Sequence, residues 1–253
     1  AAFGTGALAV AANAAADFEQ AMVEVEKVTN PEVASAMSGE IMEMARTIPL
    51  AQSELATLTA DAARFGITGP ENLRTFTETV AKMATATDLG AQRAGEALAK
   101  LATLTDTPVS KMENLGSSVN ELSNNFATSS SEIIDSMMRS SAALSQLGMS
   151  NTDIVGLSAA LNEVSESSER AGTRLRRLGQ EMMDPKKAKE LAGALGMTVE
   201  EFRSMRNNDP TKLITRMAST MKEGGKRADA LRTSLSTTSR QALAGLSQEN
   251  GRT

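Results

Sequence analysis

This chain offers few types of side chain for catalysis or metal binding, because histidine and cysteine are both absent. Without them the sequence offers no thiolate nucleophile, no Ser–His pair, no usual zinc-ligand set and no disulfide. Carboxylates alone could still hydrolyse a glycoside or bind magnesium. The 31 acidic residues are scattered along amphipathic patterns, however, and no acidic cluster is bounded by glycines. We therefore expect no enzymatic activity, no metal site and no cofactor.

The basic residues indicate a contact surface. Residues 170–253 contain 17 basic and 9 acidic side chains, whereas residues 1–169 contain 9 basic and 22 acidic ones. At helical spacing, Arg170, Arg174 and Arg177 share one face, opposite an apolar face. This basic face could be solvated, could pair with the acidic part of the chain, or could contact nucleic acid. No Tyr or Trp is available to stack on bases, which weakens the last interpretation.

The elements that must position these residues are short helices, as two similar phrases indicate. LGMSNTDI at 147–154 and LGMTVEEF at 195–202 each combine a glycine, a hydroxyl residue and an acid at the same offsets. Glycine favours the left-handed conformation that ends a helix, and the hydroxyl suits the N-cap of the next helix, with the acid as capping-box partner. A looser copy, FGITGPEN, begins at residue 65. The predicted stop and start residues are Gly66, Thr68, Gly148, Ser150, Asp153, Gly196, Thr198 and Glu201.

Composition and patterning predict an all-α fold. Aromatic residues are 2% of the chain and all are Phe, so Ala, Leu and 15 Met must supply most of the core. No stretch shows the sustained alternation that is typical of strands. We predict about 10–13 short helices packed as helical hairpins around a modest core, and not a single long coiled coil.

The predicted organisation is one helical segment over residues 1–253, because no linker forces a domain boundary. Soft subdivisions at 1–66, 67–148 and 149–253 follow the glycine turns. The uncharged residues 1–16 are too short and alanine-rich for a membrane span, and they lack the basic region of a signal peptide. We interpret them as a close-packed helix of small residues, with membrane contact as the alternative. Because the chain does not begin with Met, we expect it to be part of a longer or processed protein.

Four segments occur in an order that carries a family resemblance. They are IPLAQSELATLTADAARFGITGPENL at 48–73, FTETVAKMATATDL at 76–89, SAALSQLGMSNTDIVGLSAAL at 141–161 and ERAGTRLRRL at 169–178. Together they resemble the core region of tail tape measure proteins from long-tailed bacteriophages or phage-derived particles. The last segment is the most specific, because Ala171, Gly172, Thr173 and Leu175 form a recurrent phrase of that family. Its small residues also permit close approach of two helices, a packing role that involves no chemistry.

The resemblance implies a structural virion component, the folded part of a protein that sets tail tube length and acts in tail assembly and genome ejection. The implied partners are the tube protein, tail-tip proteins, assembly chaperones and further copies of the chain, with no small-molecule substrate. Transient contact with the genome or the host membrane is implied during ejection. The implied locations are the tail tube lumen or tail tip, and the host cytoplasm during assembly. The alternatives are a peptidoglycan-degrading module and a membrane-active helical module.

Overall fold

The computed structural model of the chain describes residues 3–248 as fourteen α-helices and one turn of 3₁₀ helix, with no strand in that range. Residues 1–2 and 249–253, and the side chains of residues 1–9 and 11, lie outside the described part. The predicted all-α fold is confirmed, with one helix more than the predicted range. The helices are α1 (Phe3–Val28), α2 (Pro31–Met44), α3 (Gln52–Arg64), α4 (Pro70–Ala86), α5 (Ala91–Thr105), α6 (Met112–Asn125), α7 (Ser130–Gln146), α8 (Asn151–Glu163), α9 (Ser168–Met183), α10 (Pro185–Leu195), α11 (Val199–Asn208), α12 (Pro210–Glu223), α13 (Gly225–Ser234) and α14 (Thr237–Gln248).

Capping side chains explain where many of these helices begin. A polar side chain just before the first turn accepts a hydrogen bond from a backbone N–H that the helix itself leaves free. Proline in the first turn of α2, α4, α10 and α12 supplies a backbone angle already suited to the helix. The capping residues are Asn30, Ser129, Ser150, Ser167, Asp184, Thr198 and Asp209.

The chain divides into two compact units, residues 1–117 and 118–253, with the boundary inside α6. In the first unit, α3 packs against α1 and α4, while α4 also contacts α2 and α5. Leu55, Phe76 and Leu98 lie in the core of this unit and are almost completely buried. The buried hydroxyls of Thr59 and Thr77 lie 3.2 Å apart and join α3 to α4. The subdivisions at 1–66, 67–148 and 149–253 stay a prediction.

In the second unit, α7 packs against α8 and α9, and α14 contacts α8, α9 and α12. The helix pairs α10–α11, α10–α13, α11–α12 and α12–α13 complete the unit. Its buried side chains are mainly Ala, Leu, Ile and Met, and Phe126 and Phe202 are the buried aromatic residues among the described residues of this unit. The sparse aromatic content predicts this kind of core, in which small and flexible side chains fill the space.

Val10 and residues 12–16 of α1 differ from the close packing predicted for residues 1–16. The prediction for residues 1–9 and 11 lies outside the described side chains. Val10 is 70% exposed, and residues 12–16 are exposed as well. These residues are exposed because α1 is much longer than the helices that pack against it. It has 26 residues, whereas α2 and α3 have 14 and 13. No helix in the described range is both long enough and apolar enough to cross a bilayer.

Candidate interaction site on α9

The buried face of α9 crosses α7 at Gly172. A Cβ atom at this position would lie 2.6 Å from the carbonyl oxygen of Ser136 and 2.9 Å from the Cβ of Arg139. Two turns further along α9, a Cβ on Gly179 would lie 3.1 Å from a methyl group of Leu144. Only a residue without a side chain permits such a short approach at Gly172. The crossing therefore explains the glycine of the Ala-Gly-Thr phrase by packing.

The other members of the phrase surround this crossing. Ala171 and Leu175 are completely buried, whereas Thr173 is half-buried and lines a groove on the outer side of α9. Nothing in this arrangement brings a nucleophile and a base together. The phrase provides a close helix contact and one side of a polar groove.

The three arginines of the predicted basic face of α9 form ion pairs with nearby carboxylates. Arg170 Nη1 lies 3.5 Å from a carboxylate oxygen of Glu166, and Arg174 Nη2 lies 3.0 Å from the other oxygen. Arg177 Nε donates a 2.9 Å hydrogen bond to Glu181. The Arg174 side chain is only 11% exposed, in contrast to the largely solvated Arg170. Of the three interpretations of this face, the structure supports ion pairing, and the paired acids lie in the same unit.

The ion pairs of Arg170 and Arg174 with Glu166 line an open groove of about 450 Å³. Arg139 and Glu169 also line the groove, and Arg139 Nη2 lies 2.8 Å from the Glu169 carboxylate. A hydrogen bond from its own backbone and the charge of Arg174 hold the pKa of the Glu166 carboxyl below its usual value. Glu166 is thus an ionised partner of Arg170 and Arg174 and is not placed as a general acid. The lining residues are Arg139, Glu166, Glu169, Arg170, Thr173, Arg174, Thr238 and Gln241.

Glu181 is a structurally important residue that the sequence reasoning missed. Its side chain is 3% exposed and lies 2.9 Å from Arg177 Nε and 3.3 Å from Lys187 Nζ. The backbone N–H of Ser236 donates a 3.1 Å hydrogen bond to its second oxygen. Burial by itself raises the pKa of the Glu181 carboxyl, but hydrogen bonds from Ser236, Ser239 and Lys187 outweigh burial and leave the pKa below its usual value. The carboxylate therefore ties α9 to α10 and to the start of α14.

The similar segments LGMSNTDI at 147–154 and LGMTVEEF at 195–202 fold into the same turn. Gly148 and Gly196 have φ angles of 82° and 66°, so each ends its helix in the left-handed conformation. Met149 N–H bonds to Leu144 C=O at 3.3 Å, and Met197 N–H bonds to Ala192 C=O at 2.9 Å, the pattern of a Schellman motif.

A capping box then begins the next helix in both phrases. Ser150 accepts a hydrogen bond from the N–H of Asp153, and Thr198 accepts one from the N–H of Glu201. The carboxylates of Asp153 and Glu201 in turn accept hydrogen bonds of 3.3 and 2.7 Å from the backbone N–H groups of Ser150 and Thr198. These residues thus set helix boundaries and the angle between successive helices.

The third segment, FGITGPEN from residue 65, differs in the residue that caps its second helix. Gly66 ends α3 with φ 89°, but Gly69 and not Thr68 is the N-cap of α4. The reason is Pro70, which occupies the first helical position and moves the cap one residue beyond Thr68. The Thr68 carbonyl accepts a hydrogen bond from the Asn72 side chain at 3.1 Å. The prediction of Thr68 as a capping residue is therefore wrong.

No group of three or more metal-binding side chains occurs within the described residues. The polar contacts of the groove on α9 are ion pairs and hydrogen bonds among its own side chains.

Comparison with known families decides what kind of protein carries this surface. A protein-family model described as phage-related minor tail protein matches residues 38–246. The chain belongs to this family. This minor tail protein is thus a structural component of a phage tail, is associated with the virion, and acts together with other tail proteins. Searches of curated proteins and of solved structures found no match to the chain.

Proposed function

We propose that this minor tail protein is the folded part of a tail tape measure protein. Such a protein sets the length of the tail tube and takes part in tail assembly and genome ejection. The observation that carries the proposal is the family match over residues 38–246, since that range contains all four segments that resemble the tape measure core. The proposed partners are the tube protein, tail-tip proteins, chaperones and further copies of the chain.

The lengths of the helices support a folded role over that of an extended ruler. Within the matched range the longest helices, α4 and α7, have 17 residues each. At 1.5 Å per residue such a helix spans only about 26 Å. Turns at Gly66, Gly148 and Gly196 interrupt the chain with left-handed residues that redirect it. The ruler itself would be a long helical region elsewhere in the parent chain.

The interior of the second unit suits a protein that must open during ejection. Its core lacks large aromatic clusters, and it contains buried hydroxyls without a protein hydrogen-bond partner at Ser141, Ser145 and Ser158. Each such hydroxyl contributes less stability than an apolar or fully bonded group would. We propose that the protein occupies the tube lumen or the tail tip and is threaded out by local opening. Pulling with optical tweezers should unfold it at lower force than a helical domain of equal length with an aromatic-rich core. Equal or higher resistance would contradict threading.

Tail length in the phage that encodes this chain tests the proposal. In-frame deletions in the helical remainder of the parent protein should shorten the tail by about 1.5 Å per residue, measured by electron microscopy. Deletion of residues 38–246 should instead stop the formation of complete tails. Deletions of equal length in a tail fibre gene provide the control, and they should leave tail length unchanged.

Two outcomes would refute the proposal. The first is a set of normal, infectious tails after deletion of residues 38–246. The second is a parent protein without a helical remainder whose length governs that of the tail. Shortening in proportion to deletions inside residues 38–246 would instead identify this segment as part of the extended ruler and would refute the folded role.

A further inference from the structure

Positive charge without a carboxylate partner is concentrated on α10–α13. In residues 1–117, at least six of the eight Lys and Arg side chains form ion pairs. Residues 186–232 contain eleven Lys and Arg side chains, and among the described residues only Lys187 and Arg232 form ion pairs there. The free cations of the second unit therefore lie away from the predicted basic face of α9.

Helices α10 and α13 pack side by side in opposite directions, and each carries several of these cations. At one end, Lys187 Nζ donates a 3.0 Å hydrogen bond to the Ser234 carbonyl. At the other end, the Arg227 guanidinium lies over Gly196, where a Cβ would be 2.9 Å from Nη2. The exposed sides of the two helices form what we call the α10–α13 face. It contains the cations Lys186, Lys189, Lys226, Arg227 and Arg232, the small residues Gly193, Ala230 and Thr233, and two acids, Glu190 and Asp229, of which Asp229 pairs with Arg232.

The α10–α13 face has charge but no apolar anchor. Its central residues are Gly193 and Ala230, and no exposed Leu, Ile, Met or aromatic side chain lies on it. Stable protein–protein interfaces usually contain a buried apolar core with aromatic or Met side chains. Contact with a phosphate backbone requires only positioned cations, and its strength comes from the release of counterions. A polyanion therefore fits this face better than a protein partner does.

We propose that the α10–α13 face binds the phosphate backbone of duplex nucleic acid without sequence preference. This binding goes beyond the proposed tape measure role and does not depend on it. The face lacks an aromatic side chain for base stacking, which favours duplex over single strands. α10 has 11 residues, so the cations extend over about 16 Å, whereas a duplex presents one negative charge per about 1.7 Å of axis. Several phosphates can thus be contacted at once, and Glu190 opposes the binding.

Fluorescence anisotropy of the full chain with a labelled duplex of about 20 base pairs tests the proposal. Four phosphate contacts predict that log K falls with log salt with a slope of about −3.6. The combined variant Lys186→Gln, Lys189→Gln and Lys226→Gln should reduce that slope by about 2.7 and weaken binding at least about tenfold at low salt. Arg227 is left unchanged because it lies over the turn at Gly196. Conversely, Glu190→Gln should strengthen binding.

The matched control removes the same charge from the first unit through Lys27→Gln, Lys100→Gln and Lys111→Gln. This control should bind the duplex within about twofold of the unaltered chain, because its lysines lie outside the α10–α13 face. Circular dichroism should show unchanged helicity in both combined variants, since all six positions are exposed.

Four results would overturn the proposal. The first two are no measurable binding at about 50 mM salt and an equal loss of affinity in the control variant. The third is competition by polyglutamate as effective as that by unlabelled duplex at equal charge, which would indicate an acidic protein as the partner. A retained slope in the lysine variant of the face would likewise place the contact elsewhere.

Discussion

Replacing Gly172 by alanine would insert a methyl group into the α7–α9 crossing, at a point where α7 presents its backbone. The new Cβ would lie 2.6 Å from the carbonyl oxygen and 2.9 Å from the Cα of Ser136. These distances are about 0.6–0.9 Å shorter than an optimal contact of about 3.5 Å. Since backbone atoms cannot rotate away as a side chain can, the two helices must separate.

The expected cost follows from two opposing terms. Overpacking of a well-packed core typically costs about 1–3 kcal/mol, and contact with backbone favours the upper part of that range. Alanine regains about 1 kcal/mol because it has a higher helix propensity than glycine. Gly172→Ala should therefore lower the free energy of unfolding of the second unit by about 1–2 kcal/mol.

Gly193→Ala on α10 is the matched control, because it lies in the same unit and a Cβ there meets nothing within 4 Å. That substitution should raise stability by about 0.5–1 kcal/mol through helix propensity alone. Urea unfolding followed by circular dichroism at 222 nm compares the two variants, whose free energies of unfolding should differ by about 1.5–3 kcal/mol. Equal effects of the two substitutions would refute the close crossing at Gly172.

Other substitutions test the remaining contacts. Glu181→Gln should destabilise the second unit by about 2 kcal/mol in urea unfolding, because a charged acceptor of several hydrogen bonds is lost; an unchanged midpoint would contradict this role. Because the folded pKa of Glu181 is lowered, its contribution is present above the unfolded pKa of about 4.3 and is lost as pH falls through the folded value. The melting temperature of the unaltered chain should thus be the same at about pH 7 and pH 5 and lower at about pH 3.5. The decrease between pH 5 and pH 3.5 should be smaller in the Glu181→Gln variant. Thr198→Ala should cost about 1 kcal/mol by removing an N-cap, whereas Thr68→Ala should change stability by less than about 0.5 kcal/mol, since Gly69 caps α4; the reverse order would contradict the assigned caps. A peptidoglycan zymogram should show no clearing, and clearing would support the alternative of a peptidoglycan-degrading module.

The helix boundaries could be predicted from sequence because their signals act over a few residues. The turn at Gly148 and the cap at Ser150 depend only on backbone conformation and on hydrogen bonds within about one turn. The same reasoning failed at Thr68 because two signals for the start of a helix overlap there, the hydroxyl of Thr68 and the proline Pro70. Since Pro70 occupies the first helical position, Gly69 and not Thr68 becomes the N-cap.

The pairing of charges needed the tertiary structure. The bond from Ser236 to Glu181 joins residues that are 55 positions apart, and no local pattern indicates it. Arg174 similarly reaches both Glu166 and Gln241, which lies 67 positions away on α14. Helical spacing placed the arginines of α9 on one face, but only the packed structure distinguishes these paired cations from the free ones on α10 and α13.

The amount of this minor tail protein in purified tails, before and after genome ejection, tests the tape measure proposal most directly. Quantitative mass spectrometry can compare it with the tube protein of the same particles. We predict that the protein is present in full particles and strongly depleted after ejection, because a protein in the lumen must leave before the genome can pass. Equal amounts in full and emptied particles would contradict the proposal and would indicate a fixed part of the tail.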